Sequence, residues 1–464
     1  MKKTASTLHK KTGTGLVQKF SHYILLTIPV SVVTGSTIAL FLWLLSTVIH
    51  YRFGHTWLLF LLPVAGILIH LIYQYAGKSS EKGNNLIIEE IHQPGGGIPA
   101  GMAPVILLTT IITHLFGGSA GREGTAVQIG GSIAGMFGKW FKLDAADTRI
   151  LLTAGIAAGF GAVFGTPLTG AIFAIEVLTI GKVKYDAFLP ALAASIIADL
   201  TVSAWGIHHT AYHIDNLLNV SFNTAHLSGN LLLAGKVIIA SVAFGLASYL
   251  FTGMAHQIKA FFGKLIRVKW LIPVIGGLII IALTYMNGKP DYLSLGVDAE
   301  YPGAITIPSA FHVAGADTWS WLWKTIYTTV TLSTGFKGGE VTPLFYIGAT
   351  LGNTLSTLMN APVSLFAALG FIAVFAGATN TPVACTVMGM ELFGPEYALF
   401  FAIACFTAYF VSGHSGIYTA QSMTAVEFDD PEKPETNTIS NIQRGKKYMY
   451  RKLIKYSFSP VKKN

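Results

Sequence analysis

The chain of 464 residues is 52% apolar or aromatic and only 11% charged, where a soluble globular protein carries about 25% charged residues. That balance excludes an ordinary soluble enzyme. The net charge of +9 sits in the ends: Lys2, Lys3, Lys10, Lys11 and Lys19 give +5 over residues 1–20, nine bases against five acids give +4 over 427–464, and residues 21–426 balance at 17 of each. A neutral body with basic ends also excludes a nucleic-acid binder, whose positive charge would cluster on a folded face.

Long windows without Asp, Glu, Lys or Arg cover 20–51, 53–77, 91–121, 150–175, 237–258, 341–390 and 397–426. Since a spanning helix needs roughly 20 mostly apolar residues, an all-α, polytopic membrane protein with on the order of ten or more helices is expected. The first window is too long for a signal-peptide core and no cleavage site follows it, so it reads as a retained helix. Bases near membrane ends mark the cytoplasmic side, which predicts both termini inside the cell and, for a bacterial protein, a location in the inner membrane. Between Lys184 and Lys236 there is no Lys or Arg, so the polar segment within that stretch is expected outside. The predicted organisation is a basic cytoplasmic tail at 1–20, a first membrane repeat at 21–205, an extracytoplasmic linker at 206–229, a second membrane repeat at 230–426 and a cytoplasmic tail at 427–464. With both ends inside and the linker outside, each half crosses an odd number of times and the halves run in opposite orientation.

Two internal matches support those halves. Gly121-Arg122-Glu123-Gly124-Thr125, followed by Gly131 and Gly135, is matched in the second half by Gly338-Gly339-Glu340-Val341-Thr342, followed by Gly348 and Gly352. Phe160, Thr166, Pro167 and Glu176 recur at the same mutual spacing as Phe375, Thr381, Pro382 and Glu391. Two matches in the same order argue for duplication, and an odd number of crossings per half makes it an inverted repeat, an architecture frequent in transporters. Carboxylates at 123, 340, 176 and 391 are expensive in lipid and mark function or a specific partner.

The Gly-rich loops at 117–125 and 334–343 each combine glycine with a carboxylate, a Thr and an apolar helical run. Glycine lets the chain leave helical geometry inside the membrane and aim a helix N-terminus at a cavity. Such a terminus carries about half a positive charge and unpaired N–H donors, so two of them meeting near the midplane form an anion site. A Glu at that place fills the site when ionised and vacates it when protonated, which couples an anion to a proton. The plain alternative is that Glu123 is a capping acid on an exposed helix.

These residues resemble a family. Gly121 to Thr125, the Gly-rich loop at 338–343 and the helical stretch Gly155 to Glu176 are similar to the CLC family of chloride channels and anion/proton antiporters, over about residues 20–425. The resemblance implies a CLC-type inverted repeat with broken and re-entrant helices, a homodimer with one ion pathway per subunit, and an external gating glutamate at Glu123. It also implies anion-binding backbone N–H donors from the 338–343 loop, Gly339 and Val341 among them, and a Tyr hydroxyl at Tyr418. Within the family the pattern is closest to the fluoride/proton antiporter branch. Asn84, in Lys82-Gly83-Asn84-Asn85-Leu86-Ile87, stands where a serine is usual; Thr125 replaces the usual Pro; Glu340 lies inside the second loop; and Val177 stands where chloride exchangers carry their internal proton-accepting Glu.

Fluoride is small and strongly hydrated, so stripping its water requires several close donors. The Asn84 amide, the Tyr418 and Thr342 hydroxyls and backbone N–H groups suit that task, and Glu340 helps only when protonated. Glu123 is then the gating, proton-exchanging acid and Glu340 an acid inside the cavity. The plain alternatives are a turn residue at Asn84, an interfacial anchor at Tyr418 and a cap at Glu340.

The expected partners are fluoride or chloride, protons and the lipid bilayer, and no metal or cofactor is expected. The rival within the fold is a chloride channel or chloride/proton exchanger. A remote rival is an intramembrane serine protease, because Gly117 to Gly121 fits Gly-x-Ser-x-Gly around Ser119 and Gly413 to Gly416 fits Gly-x-Ser-Gly around Ser415, although a nucleophile elbow needs a preceding strand. His208, His209, His213 and Asp215 have metal-ligand chemistry, but a solvated outer loop accounts for them. Cys385 and Cys405 read as buried free thiols. The run from Arg444 to Lys463, with Tyr448, Tyr450, Tyr456 and Phe458 interleaved, suits either an amphipathic segment on the inner leaflet, at about 1 kcal/mol per base, or a solvated tail.

Overall fold

In the computed structural model, residues 2–214 and 227–423 are described. Asp215, half of the linker and the basic tail from 427 lie outside them. The first half holds α1 (Lys2–Phe53), α2 (Leu62–Ile72), α3 (Asn84–His92), α4 (Met102–Leu115), α5 (Glu123–Trp140), α6 (Ala145–Phe164), α7 (Pro167–Glu176) and α8 (Phe188–Ala204). The second holds α9 (Leu227–Leu265), α10 (Leu271–Asn287), α11 (Ser320–Ser333), α12 (Val341–Met359), α13 (Val363–Thr379), α14 (Pro382–Phe393) and α15 (Ala398–Val411). Two differences from expectation concern boundaries: the backbone of α1 is helical back through the predicted tail to Lys2, and α9 begins inside the predicted linker.

Charge-free windows and helices do not correspond one to one. Five stretches are long and apolar enough to cross a membrane, and further apolar helices have only 10–17 residues. The window 150–175 holds most of α6 and α7, and 341–390 holds most of three helices. The breaks follow from local chemistry that recurs in both halves. At the end of α6, Gly165 turns left-handed (φ 71°), Thr166 leaves helical geometry (φ −126°, ψ 74°) and Pro167 opens α7; at the end of α13, Asn380 turns left-handed (φ 59°), Thr381 leaves helical geometry (φ −126°, ψ 64°) and Pro382 opens α14. Proline suits a first helical position because its missing N–H would be unpaired there anyway.

The two short helices then cap each other. Glu176, at the end of α7, accepts from Val383 N at 3.0 Å and Ala384 N at 2.7 Å at the start of α14. Glu391, near the end of α14, accepts from Leu168 N at 2.9 Å and from Thr169 N at 2.7 Å at the start of α7. Both membrane carboxylates are thereby assigned to a reciprocal structural contact between the halves. Replacing Glu391 by Ala should lower stability by about 1 kcal/mol, the usual cost of a lost cap, while transport persists. Thermal unfolding in detergent alongside a flux assay checks this, and loss of flux in a stable variant would assign the pair a direct part in transport.

The core is made where glycines let backbones touch. A Cβ on Gly130 of α5 would overlap the Gly155 carbonyl of α6, and one on Gly348 of α12 would overlap the Gly370 carbonyl of α13. Between the halves runs a short parallel ladder, β1 (Thr179–Ile180) beside β2 (Ser422–Met423). Cys385 and Cys405 are free and buried, as expected.

Candidate functional site

The two Gly-rich loops meet. Gly121 N donates to Gly339 O at 2.6 Å and Gly339 N donates to Gly121 O at 2.7 Å, a one-pair antiparallel bridge between the halves. Glycine is required because a Cβ on Gly339 would stand 2.6 Å from Gly124 N. This bridge corrects one expectation: the Gly339 N–H is spent on Gly121 and is not an anion donor. Val341 keeps its place at the first position of α12, where helical N–H groups lack helical partners.

Glu123 is the first residue of α5 and is fully buried. Its carboxylate reaches across to α12, accepting from the Thr342 hydroxyl at 2.5 Å and from Thr342 N at 3.0 Å, and also from Arg122 N at 3.1 Å. The Arg122 guanidinium lies 3.5 Å away. Glu123 therefore does cap a helix, but that helix belongs to the opposite half, and the carboxylate sits on the donors an anion would use. Glu123 and Thr342 border a chamber of about 20 Å³ with Arg122, His209, Tyr212 and Phe345.

On the other side of the bridge lies a cavity of about 240 Å³ that brings together Asn84, Glu340 and Tyr418. Asn84 opens α3, and its carbonyl oxygen is buried without a hydrogen-bond partner. The Tyr418 segment is tied to that helix by Ala420 N donating to the neighbouring Asn85 Oδ1 at 2.9 Å. It is tied to α13 by Ile417 N donating to Ala378 O at 2.9 Å. Gln421 completes the anchor, donating to the carbonyls of Val177 at 2.9 Å and Thr379 at 2.7 Å. Glu340 is the N-cap residue of α12 but makes no side-chain cap bond. Instead, a Cβ on Gly124 would stand 3.2 Å from Asn84 Nδ2 and 3.6 Å from Glu340 Oε2, so both side chains converge on the bare face of that glycine.

The helix positions also correct the alignment of the first repeat. Gly130 and Gly348 are the packing equivalents, and Glu340 precedes α12 as Arg122 precedes α5. Glu340 is thus the counterpart of Arg122 and not of Glu123.

Sequence reasoning missed the rings between chamber and cavity. Phe345 stands edge-on to Phe375 (centroids 5.3 Å), Phe375 lies 5.9 Å from Phe173, and Phe173 stands edge-on to Tyr418 (6.4 Å). Besides Tyr418, only Phe375 carried a signal, as a repeat marker. Lys337, over the Tyr73 ring at 4.1 Å, and Lys259 on the cavity wall also went unremarked. Thr125 bonds the Thr110 hydroxyl at 2.8 Å and serves packing against α4. The serine motifs find no nucleophile geometry, since Ser119 Oγ pairs with Thr328 (2.9 Å) and Ser415 Oγ with Thr252 (2.8 Å). Among the described residues no group of three or more His, Cys, Asp or Glu is arranged to hold a metal.

Residues 61–413 match the voltage gated chloride channel family. The chain is 46% identical over 418 residues, 89% of each chain, to a chloride/fluoride channel protein of Pseudomonas syringae pv. tomato. It is 27% identical over 327 residues to the H(+)/Cl(-) exchange transporter ClcA of Vibrio cholerae, covering 64% of this chain and 66% of that one. Among solved structures, it is similar to a CLC-type fluoride/proton antiporter at a TM-score of 0.80 and 33% identity, covering 87% of this chain and 98% of the other. A slow cyanobacterial Cl-/H+ antiporter shares the fold at a TM-score of 0.70 and 17% identity, over 84% of this chain and 94% of that one.

Proposed function

This chain belongs to the voltage-gated chloride channel family and is a multi-pass membrane anion transporter, and we propose that it is a fluoride/proton antiporter that exports fluoride. The observation that carries this reading is the convergence of Asn84 Nδ2 and the Glu340 carboxylate on the bare face of Gly124. A dehydrated fluoride ion requires donors at close range, and the Asn84 amide and Tyr418 hydroxyl supply them. A bare Glu340 carboxylate would repel the ion, whereas its protonated form donates a hydrogen bond, so fluoride and a proton favour each other at this point. The positive edges of the aromatic rings suit an anion passing between Tyr418 and Phe345.

Glu123 supplies the outer half of the cycle. Ionised, it holds the Thr342 donors; protonated, it holds them less strongly because charge-assisted hydrogen bonds are roughly twice as strong as neutral ones, and an anion takes its place. Val177, buried and apolar, stands where chloride exchangers carry a carboxylate, which supports a proton route through Glu123 and Glu340. Asn84, Val341, Thr342 and Tyr418 are the proposed anion ligands.

The working unit in this reading is a homodimer in the bacterial inner membrane, with both termini cytoplasmic, membrane repeats at 21–205 and 230–426, and the linker outside. The experiment is a flux comparison from proteoliposomes loaded with fluoride or chloride and placed in acidic medium. Fluoride efflux should exceed chloride efflux by roughly a hundredfold or more, the discrimination of a site built on close hydrogen-bond donors, and should drive proton uptake. Equal rates would assign the chain to chloride transport on the same fold.

A further inference from the structure

The linker reads from sequence as a solvated outer loop, yet its first residues fold inward over the gate. After α8 the chain turns at Gly206, and His209, Thr210 and Tyr212 form part of the wall of the chamber that holds Glu123. Tyr212 is anchored against Phe371 (centroids 5.4 Å) and Phe311 (5.6 Å). His209 is seated by two contacts. Its Nε2 is buried, makes no hydrogen bond and stands 3.6 Å from Asp199 Oδ1 on α8, a charge contact longer than a hydrogen bond. Its ring fills the space over Gly165, where a Cβ would overlap the imidazole. The left-handed turn at 165 does not by itself demand glycine, because Asn380 makes the same turn in the other half (φ 59°). What separates the two positions is the imidazole.

We propose that His209, backed by Asp199, is the residue that passes protons between the exterior and Glu123. This rests on the antiporter reading above. The chamber, at about 20 Å³, has room for one water molecule. Doubly protonated His209 gives one N–H proton to that water while the water passes one of its own to a Glu123 oxygen. The imidazolium becomes neutral imidazole, the carboxylate becomes a carboxyl, and the imidazole takes its next proton from the outside solution. Asp199 stands behind the imidazole, and the Arg122 guanidinium lies on the chamber wall. The remaining titratable groups around His209 are Glu123 itself, Tyr212, His208 and His213 of the same loop, and Asp298, which stands beside Val297 of the wall.

The test uses the full chain in fluoride-loaded proteoliposomes, with efflux and proton uptake followed as the external pH is varied between about 5 and 8, the range in which imidazoles change charge. His209→Gln should slow proton-coupled efflux by about a hundredfold, at the lower edge of what a positioned proton donor contributes, and flatten its dependence on external pH. Fluoride binding to the purified variant, measured by calorimetry, should be unchanged. His209→Ala should regain rate when imidazole is added to the external buffer, which a packing role would not allow. Asp199→Asn should move the pH dependence to lower pH, because the imidazolium loses its anionic neighbour.

A His209→Gln protein with the parent's rate and pH dependence overturns the relay, as does a His209→Ala protein that binds fluoride but ignores imidazole. If the His209 variants do not fold, an Asp199→Asn protein with an unshifted pH dependence overturns it. If the parent chain itself shows no fluoride-driven proton uptake, the antiporter reading fails first, and the two failures are told apart.

Discussion

Glu123→Gln is expected to abolish proton-coupled transport while leaving the protein folded. The carboxylate accepts from the Thr342 hydroxyl, from Thr342 N and from Arg122 N, and it is fully buried. Hydrogen bonds to a charged group are each worth about 1.5–3 kcal/mol. Gln has the same shape but only one acceptor oxygen, so one of its positions turns N–H groups toward donors. More importantly, an amide does not take up and release a proton across the working pH range. Fluoride-driven proton uptake should therefore fall by at least about a hundredfold, the lower range of a positioned acid–base group. The measurement is proton uptake by fluoride-loaded proteoliposomes, with size-exclusion elution as the check on folding. Proton flux within about twofold of the parent would remove Glu123 from the coupling mechanism.

Gly348→Val is expected to remove the fold itself. A Cβ at 348 lands on the carbonyl of Gly370, and a Cβ at 370 would land on the carbonyl of Gly348. The obstacle is backbone on both sides, so no rotamer change relieves it, and α12 and α13 must separate. Overpacking a rigid core costs about 1–3 kcal/mol and more where nothing can move. This pair also carries Thr342 at one end and Phe371 beside it, so separation dismantles the site. The expected result is aggregated elution from detergent extracts. Gly235→Ala is the control, since a Cβ there meets nothing within 4 Å and alanine favours a helix over glycine by about 1 kcal/mol. A monodisperse, transporting Gly348→Val protein would show that the two helices are not held in backbone contact.

Much of the site was legible because its chemistry is concentrated in two short motifs. Carboxylates at 123 and 340 stand out in regions without other charge, and glycine with threonine beside them implies broken helices with donors exposed. Asn84 and Tyr418 were found only through resemblance, since an Asn before a helix and a Tyr near the end of a membrane domain are ordinary residues. Other features had no local signal. Counting from motif to motif pairs Glu340 with Glu123, and only the helix starts and the packing glycines move the equivalence to Arg122. The Gly339 N–H looks available as a donor in sequence, yet Gly121 of the other half uses it.

Glu176 and Glu391 show the same division from the other side. Their spacing from Thr-Pro, repeated in both halves, announced a shared role, but the role is a reciprocal contact that neither half makes alone. His209 reads as a solvated linker residue because polarity and the absence of bases say only that a segment lies outside the membrane. They do not say whether it turns back over the mouth.

Composition, charge placement and short motifs determined that this is a helical membrane protein, neutral in its body and with matched motifs in its two halves, with acids at broken helices that point to an anion and a proton. Those properties are local: apolar length, glycine and proline at breaks, and an ionisable side chain where lipid makes one costly. The tertiary structure decided which helix each acid caps, which donors remain free, and which loop covers Glu123. Those depend on contacts between segments far apart in the chain, and such contacts exist only once the two halves have packed against each other.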